Sequence, residues 1–245
     1  MLEKIKYSKK PEWLQTLLNL PYYSKECPPI HAKGIDFIIQ DGCKFYPTGP
    51  LTVFNSVYKH SWYGIPYLTN KECTCLDIGA CIGTVCIPLS YEFKTVIAIE
   101  PIWNKELEDN IKLNNRKNIE VRRQFVGGIW PLFQRKTHYA GKDSKWTLQV
   151  PLKSLLQEIK PNYIKCDIEG EEWRIPYEEW LGPEVIKIEF HILRLKETQC
   201  IRKITELIEF LNRKEYLCNI DSYHREQSLQ ISKTMYFTAK KKGRG

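Results

Sequence analysis

From residue 72 onward, short apolar runs alternate with longer amphipathic stretches, and this alternation constrains the fold more than any other feature of the chain. The apolar runs predict strands at 73–78, 95–100, 119–126, 162–167, 185–191, 216–220 and 233–239. The stretches between them predict helices at 82–92, 104–115, 150–158 and 197–214. Repeated strand–helix–strand units build a mostly parallel sheet with helices on both faces. We therefore expect a doubly wound α/β domain around a seven-stranded sheet.

The first 70 residues lack this alternation. Residues 11–20 predict a short amphipathic helix that ends before Pro21. Residues 35–40 and 43–46 predict a β-hairpin, because the intervening Asp-Gly suits a tight turn. Aromatic residues are frequent in the rest of this segment, as expected either for a cap on the substrate side or for core packing against the main domain. We divide the chain into an N-terminal cap (1–70), a main domain (71–240) and a basic tail (241–245).

Composition and charge argue against several classes of protein. No apolar run reaches the length of a membrane span, and the charged N-terminus predicts no secretory signal, so we expect a cytoplasmic location. The nine cysteines, an odd number, predict free core thiols in a reducing compartment. No cysteine or histidine cluster has the spacing of a zinc site, and no metal ligand is assigned. The net charge of +8 is compatible with RNA, but a solvated lysine-rich surface accounts for it more simply.

The sharpest motif is Leu-Asp-Ile-Gly-Ala-Cys-Ile-Gly at 76–83, which follows the first predicted strand and opens the first helix. Gly79, Ala80 and Gly83 lie in the turn, where glycine lets the backbone bend tightly and approach a ligand. Ligands of doubly wound folds bind beyond the carboxyl ends of the parallel strands. The motif therefore predicts a ligand site at this end of the sheet.

Two carboxylates indicate which ligand this site would hold. Glu100, followed by Pro101, ends the next strand, where a carboxylate can accept hydrogen bonds from ribose hydroxyls. Asp77 stands at the end of the first strand, where it would repel a pyrophosphate and attract a cation. The pair favours a positively charged nucleoside-derived ligand over a dinucleotide.

Acidic residues also gather where the fourth strand ends. Asp167 and Glu169 are predicted to face the ligand crevice, because Gly170 marks a special turn directly after them. Glu171 and Glu172 instead suit the first turn of a helix, where carboxylates complement the dipole. A divalent cation bridged by Asp167 and Glu169 is compatible with the pattern, although nothing in it requires one.

The fifth strand ends in Glu189 and His191, which share one face because side chains alternate along a strand. His191 is a candidate general base, since imidazole titrates near neutral pH. A hydrogen-bonded structural role for this histidine fits the sequence equally well.

Together these motifs resemble the FkbM-type methyltransferases, class I enzymes that mostly methylate oxygen. The matching stretches, in the same order, are 76–85, 96–101, 107–115, 150–155, 163–172 and 186–191. The resemblance implies the class I methyltransferase fold and S-adenosylmethionine as cofactor, whose ammonium and sulfonium are cations of the kind that Asp77 favours. The chain departs from the family at Cys81, where Asn is frequent, and at Trp173 and Arg174, where smaller apolar residues are common.

The motifs and the resemblance assign roles to individual residues. Cofactor binding is assigned to Asp77, Gly79, Ala80, Gly83, Glu100, Pro101 and Asp167. Catalysis is assigned to Asp167, Glu169 and His191. Within these sets, the glycine turn is expected to hold the methionine half of the cofactor, and Glu100 its ribose.

Three functions are compatible with these assignments. The favoured one is an O-methyltransferase acting on a small molecule, a sugar or a glycan. An RNA methyltransferase is the alternative that the net charge of +8 motivates. A catalytically degenerate methyltransferase fold that only binds partners is the third. No Asn/Asp-Pro-Pro-Tyr/Phe motif follows the fourth strand and no Pro-Cys nucleophile occurs, which argues against methylation of base amino groups and of cytosine C5.

Overall fold

The computed structural model describes residues 38–40, 43–45, 71–102, 105–127, 148–192, 195, 197–224 and 234–243. The predicted helix at 11–20 and most of the aromatic N-terminal segment lie outside these residues. Within them, no helix combines the length and the apolarity needed to cross a bilayer.

A seven-stranded sheet forms the centre of the described fold. Its strands are β1 (Thr74–Ile78), β2 (Thr95–Ile99), β3 (Ile119–Arg122), β4 (Tyr163–Cys166), β5 (Val185–His191), β6 (Tyr216–His224) and β7 (Thr234–Lys241). Their order across the sheet is β3-β2-β1-β4-β5-β7-β6. The first five strands are parallel, and β7 runs antiparallel between β5 and β6. This confirms the predicted mostly parallel sheet, and the order reverses between β1 and β4, where doubly wound folds bind ligands.

Helices cover both faces of the sheet, as predicted. They are α1 (Cys86–Leu89), α2 (Lys105–Leu113), α3 (Leu152–Ile159) and α4 (Glu197–Arg213). Alternate strand residues divide the core in two, because successive side chains point to opposite faces. Leu76, Ile97 and Ile164 pack with α3 and α4, whereas Cys75, Val96 and Tyr163 pack with α1 and α2.

Helix positions follow from local chemistry. Pro151 precedes α3 in an extended conformation, where its missing N–H costs nothing, and Lys160 ends that helix in the left-handed region. In α4, the predicted 3–4 spacing is confirmed, since Ile204, Leu207 and Leu211 are all buried.

Two predicted elements are shorter than expected. The helix predicted at 82–92 is confined to α1, and it starts late because the left-handed φ of 93° at Gly83 cannot belong to a right-handed helix. The strand predicted at 119–126 breaks after Arg122, and Gln124–Val126 pairs instead with Leu148–Val150 in a separate two-stranded ribbon. The break comes where the neighbouring strand β2 ends. The N–H of Glu100 still donates to Arg122, but the N–H of Ile102, next in the ladder toward β3, donates to the side chain of Glu100 at 3.0 Å.

The predicted N-terminal hairpin is present. Ile38–Gln40 and Cys43–Phe45 pair antiparallel, with Gln40 opposite Cys43. Cys43 and Phe45 are buried in the same core as α1 and α2. This hairpin therefore packs on the main domain.

Candidate active site

The glycine turn joins the ends of three neighbouring strands. The backbone N–H groups of Gly79 and Ala80 donate to the carbonyl of Ile99, at 2.9 and 3.1 Å. Gly79 has a φ of +79°, and a Cβ atom there would lie 1.8 Å from the carbonyl oxygen of Asp167. Only glycine allows the turn after β1 to pass this close to the end of β4.

Gly83 has a packing role in the same turn. Its φ is +93°, and an added Cβ would meet Ile87 at 2.9 Å and Leu107 at 3.1 Å. Its N–H donates to the carbonyl of Ala80 at 2.8 Å, which closes the turn before α1. The segment from Gly79 to Gly83 thus lies at a strand-to-helix junction, as the motif predicted.

Glu100 holds the glycine turn through its carboxylate. Oε2 accepts the N–H of Cys81 at 2.8 Å, and Oε1 accepts the N–H of Ile102 at 3.0 Å. Burial raises the pKa of Glu100, although these two N–H groups and Lys165 oppose the shift. Each carboxylate oxygen has a second lone pair, so Glu100 can still accept bonds from a ligand beside Pro101, which is half-buried.

Lys165 is a buried charged residue of the candidate site that the sequence motifs did not predict. Its side chain is 3% exposed, and Nζ lies 3.2 Å from Oδ1 of Asp77, which is fully buried. Nζ also donates to the carbonyl of Gly79 at 2.6 Å and lies 3.8 Å from Oδ2 of Asp167. The available signal was a lysine within the apolar run Tyr-Ile-Lys-Cys, since lysine is almost never buried without a partner.

The charges of this buried group depend on one another. Burial alone would lower the pKa of Lys165, but Asp77 and Asp167 raise it above its ordinary value, so the ammonium stays protonated. Burial raises the pKa of Asp77, while Lys165 lowers it. The structure therefore gives Asp77 an internal cation as its nearest counter-charge. With Asp167 included, the three groups carry one net negative charge when both carboxylates are ionised.

A second group of side chains lies where β4 and β5 end. Nε2 of His191 is 3.4 Å from Oε2 of Glu169 and 3.8 Å from Oδ1 of Asp167. The His191 side chain is 7% exposed, whereas the Glu169 side chain is 56% exposed. The left-handed φ of 57° at Glu169 turns the chain at this point. The structure thus brings together the three residues predicted for catalysis.

Glu172 holds His191 from the protein interior. Its Oε1 accepts the backbone N–H of His191 at 2.6 Å and lies 3.0 Å from the ring Nδ1, while its Oε2 accepts the N–H of Gly170 at 2.8 Å. The prediction grouped Glu172 with Glu171 as a helix-terminus residue. Glu171 does pair with Arg174 on one 3₁₀ turn, at 3.4 Å, but Glu172 is fully buried beneath the histidine. Sequence spacing alone does not distinguish these two adjacent carboxylates.

The electrostatics of His191 bear on its role. Burial by itself lowers the pKa of His191, but the hydrogen bond and charge of Glu172, together with Asp167 and Glu189, raise it to about 10. In this state the ring is protonated at neutral pH, and it must lose a proton before it could accept one. Glu172 faces Nδ1 of the ring, and the carboxylates of Asp167 and Glu169 face Nε2.

The buried group of Asp77 and Lys165 and the group around His191 form one site along the carboxyl edge of the sheet. Lys165 connects them, because it contacts both Asp77 and Asp167. The close approach of Gly79 to Asp167 connects them a second time through the backbone. One side of the site therefore has the carboxylate of Glu100 beside the glycine turn, and the other has the His191 imidazole among three carboxylates.

Comparisons with known proteins give only distant structural likenesses. No protein-family model and no curated protein matches the chain. A ribosomal protein L11 methylase from Lactobacillus delbrueckii subsp. bulgaricus is 15% identical, with a TM-score of 0.48 over 81% of this chain and 84% of that one. An rRNA methylase from Streptococcus thermophilus is 9% identical, with a TM-score of 0.47 over 76% and 95%.

TYW2 from M. jannaschii, solved in complex with AdoMet, is 14% identical, with a TM-score of 0.42 over 83% of each chain. Identities and TM-scores this low say nothing about substrate or activity. The evidence for function is therefore the geometry of the site itself.

Proposed function

We propose that this chain is an S-adenosylmethionine-dependent methyltransferase of the FkbM type that transfers a methyl group to an oxygen atom. The observation that carries the proposal is the bond from Cys81 to Glu100, which fixes a glycine turn after β1 beside a carboxylate at the end of β2. A turn and a carboxylate on adjacent parallel strands are the two features that a nucleoside ligand requires in this fold.

The residues present fit this cofactor. Glu100 would accept hydrogen bonds from the ribose hydroxyls, and Pro101 would border the nucleoside. The turn with Gly79, Ala80 and Gly83 would follow the methionine half. Asp77, Lys165 and Asp167 carry one net negative charge, which favours a cation over a phosphate. When bound, the cofactor supplies a methyl group on a sulfonium that is already activated for transfer.

The chain's own residues would position the acceptor and manage its proton. As the O–C bond forms and the S–C bond breaks, an acceptor hydroxyl must lose its proton. Asp167 and Glu169 are acceptor groups on the exposed side of the site, and protonated His191 would hold them in place through Nε2. Orientation and exclusion of water supply much of the acceleration in such a reaction.

The position of the C-terminal lysines favours a small acceptor over RNA. In β7, Thr234 pairs with His191 at the site, whereas Lys240 pairs with Val185 at the opposite edge of the sheet. Six strand residues at about 3.3 Å each separate the two edges by about 20 Å. Lys240–Lys242 therefore do not line the site, and we propose a small-molecule, sugar or glycan acceptor.

The eight cysteines that the structure describes form no disulfide with one another. This agrees with the proposal that the protein works in a reducing, cytoplasmic compartment.

Transfer of labelled methyl from S-adenosylmethionine tests the proposal. The purified chain is incubated with small-molecule, glycan and RNA fractions of cell extract, and the labelled product is identified. We expect an O-methylated small molecule or glycan, and loss of label with Glu100→Gln. Label found only in RNA would contradict a small-molecule or glycan acceptor and support an RNA methyltransferase. No transfer and no cofactor binding would leave only a binding role for the fold.

A further inference from the structure

Three side chains at the ends of β4 and β5 have the arrangement of a metal site. The ligand atoms of Asp167, Glu169 and His191 all lie within 4.8 Å of one another. A cation with ligands at about 2.1 Å places neighbouring ligand atoms about 3 Å apart and opposite ones about 4 Å apart. The distances from Nε2 of His191 to the two carboxylates, 3.4 and 3.8 Å, fall within this range.

His191 is oriented in the way that metal-binding histidines are. A ligating histidine almost always donates its second ring nitrogen to a carboxylate or carbonyl, which fixes the ring. Here Nδ1 lies 3.0 Å from Oε1 of fully buried Glu172. The 7% exposed ring is thereby fixed with Nε2 directed at Asp167 and Glu169. This contact does not involve Asp167 or Glu169, and it directs the ring toward them.

We propose that Asp167, Glu169 and His191 bind one divalent metal ion and that Glu172 is a positioning residue for His191. A mixed set of one imidazole and two carboxylates suits Mn²⁺, Fe²⁺, Co²⁺ or Zn²⁺ better than Ca²⁺, which prefers oxygen alone. Three protein ligands leave further coordination positions, and Asp167 and Glu169 place these on the solvent side.

The ion would also take part in the proposed methyl transfer, and this part of the inference rests on that proposed function. A nearby divalent cation lowers the pKa of a hydroxyl. With the ion bound in place of the Nε2 proton of His191, Asp167 and Glu169 would act as metal ligands and no longer as proton acceptors. An acceptor alcohol on the solvent side would then lose its proton to water as its oxygen takes the methyl group. From the sequence we assigned no metal ligand and left open a cation bridged by Asp167 and Glu169; the proposal adds His191 to that pair.

Metal binding is tested on the full chain without cofactor. The protein is treated with a chelator, dialysed and titrated with Mn²⁺ by calorimetry, and with Co²⁺ by its visible absorption, which reports nitrogen and oxygen ligands. We expect one ion per chain, with Ca²⁺ binding at least tenfold more weakly. No saturable binding of either probe ion would overturn the inference.

Variants then assign the ligands. His191→Ala should abolish binding, and Glu172→Gln should weaken it by about 10–100-fold. Glu169→Gln, at an exposed position, should weaken binding without risk to folding, which circular dichroism verifies. Glu171→Gln is the matched control, because this neighbouring carboxylate pairs with Arg174, and Mn²⁺ affinity should not change. Unchanged affinity in both His191→Ala and Glu169→Gln would contradict the assignment.

A parallel titration with S-adenosylmethionine separates the two proposals. Cofactor binding without metal binding would overturn the metal site and leave the methyltransferase proposal intact. Metal binding without cofactor binding would support the site and remove the proposed methyl transfer.

Discussion

Nζ of Lys165 lies 3.2 Å from Oδ1 of Asp77, and both side chains are buried where β4 and β1 run side by side. Removing one member of a buried pair leaves an uncompensated charge, which typically costs about 3–5 kcal/mol. We therefore expect Lys165→Met to lower the free energy of unfolding by about that amount, measured by urea denaturation.

Two further variants show whether the pair causes this loss. The double variant Asp77→Asn/Lys165→Met should be less destabilised than the sum of the single changes, because no unpaired charge remains. Lys94→Met makes the same substitution in the exposed pair with Glu72, and should change stability by less than about 1 kcal/mol. Equal losses at Lys165 and Lys94 would contradict a buried charge network.

Gly79→Ala should disrupt the site because a Cβ atom would strike the Asp167 carbonyl. Gly182→Ala is a matched control, since Gly182 also has a positive φ, of +132°, but an added Cβ there has no neighbour within 4 Å. Both changes strain the backbone, so the difference between their losses of unfolding free energy reports on the contact with Asp167. We expect Gly79→Ala to cost about 2 kcal/mol more in urea denaturation, and equal costs would contradict the close approach.

The alternation of apolar runs and amphipathic stretches predicted the strands of the sheet well, because each strand can be located from its own local sequence pattern. The prediction for β5 agrees with the observed strand at both ends, and α4 ends one residue earlier than predicted. The break in the strand predicted at 119–126 could not be predicted from the sequence, because it depends on where the neighbouring strand ends. The late start of the first helix could not be predicted either, because the left-handed φ at Gly83 is set by the folded turn.

The candidate site was predicted in outline and not in its contacts. Glu100, Asp167 and His191 stand at strand ends, which a strand prediction locates. The contact between Lys165 and Asp77 joins residues far apart in sequence, and only the register of β1 and β4 brings them together. Glu172 does lie in the first turn of a short helix, as predicted, but its contact with His191 could not be predicted, since that partner comes from another strand.

Binding of S-adenosylmethionine should weaken at acid pH. Burial raises the pKa of Glu100 above 4.5, so its carboxylate is protonated at a higher pH than an exposed glutamate. Affinity should therefore fall as the pH drops through this raised pKa, because the protonated group accepts fewer hydrogen bonds. Calorimetry across this pH range measures the effect.

Unfolding would not explain this loss of affinity. A carboxyl group with a raised pKa in the folded state binds more protons there than in the unfolded state, so Glu100 by itself adds stability as the pH falls. Glu100→Gln should bind weakly at every pH, by about 1–3 kcal/mol, with a flatter profile. An unaltered acid limb in this variant would assign the titration to another group.

Two leucines, one buried on α4 and one exposed on β6, allow the packing of the core to be tested. Leu207 is 2% exposed and belongs to the core, so Leu207→Ala should cost about 2–5 kcal/mol in urea denaturation. Leu217 is 59% exposed, and Leu217→Ala should change stability by less than about 0.5 kcal/mol. A large loss at Leu217 would mean that this surface is covered in solution.

Calorimetric titration of the purified chain with S-adenosylmethionine shows whether the glycine turn and Glu100 form a cofactor site. We expect one saturable site per chain that is weakened by Glu100→Gln, with the fold of the variant verified by circular dichroism. Heats indistinguishable from dilution with the folded wild-type protein would contradict it.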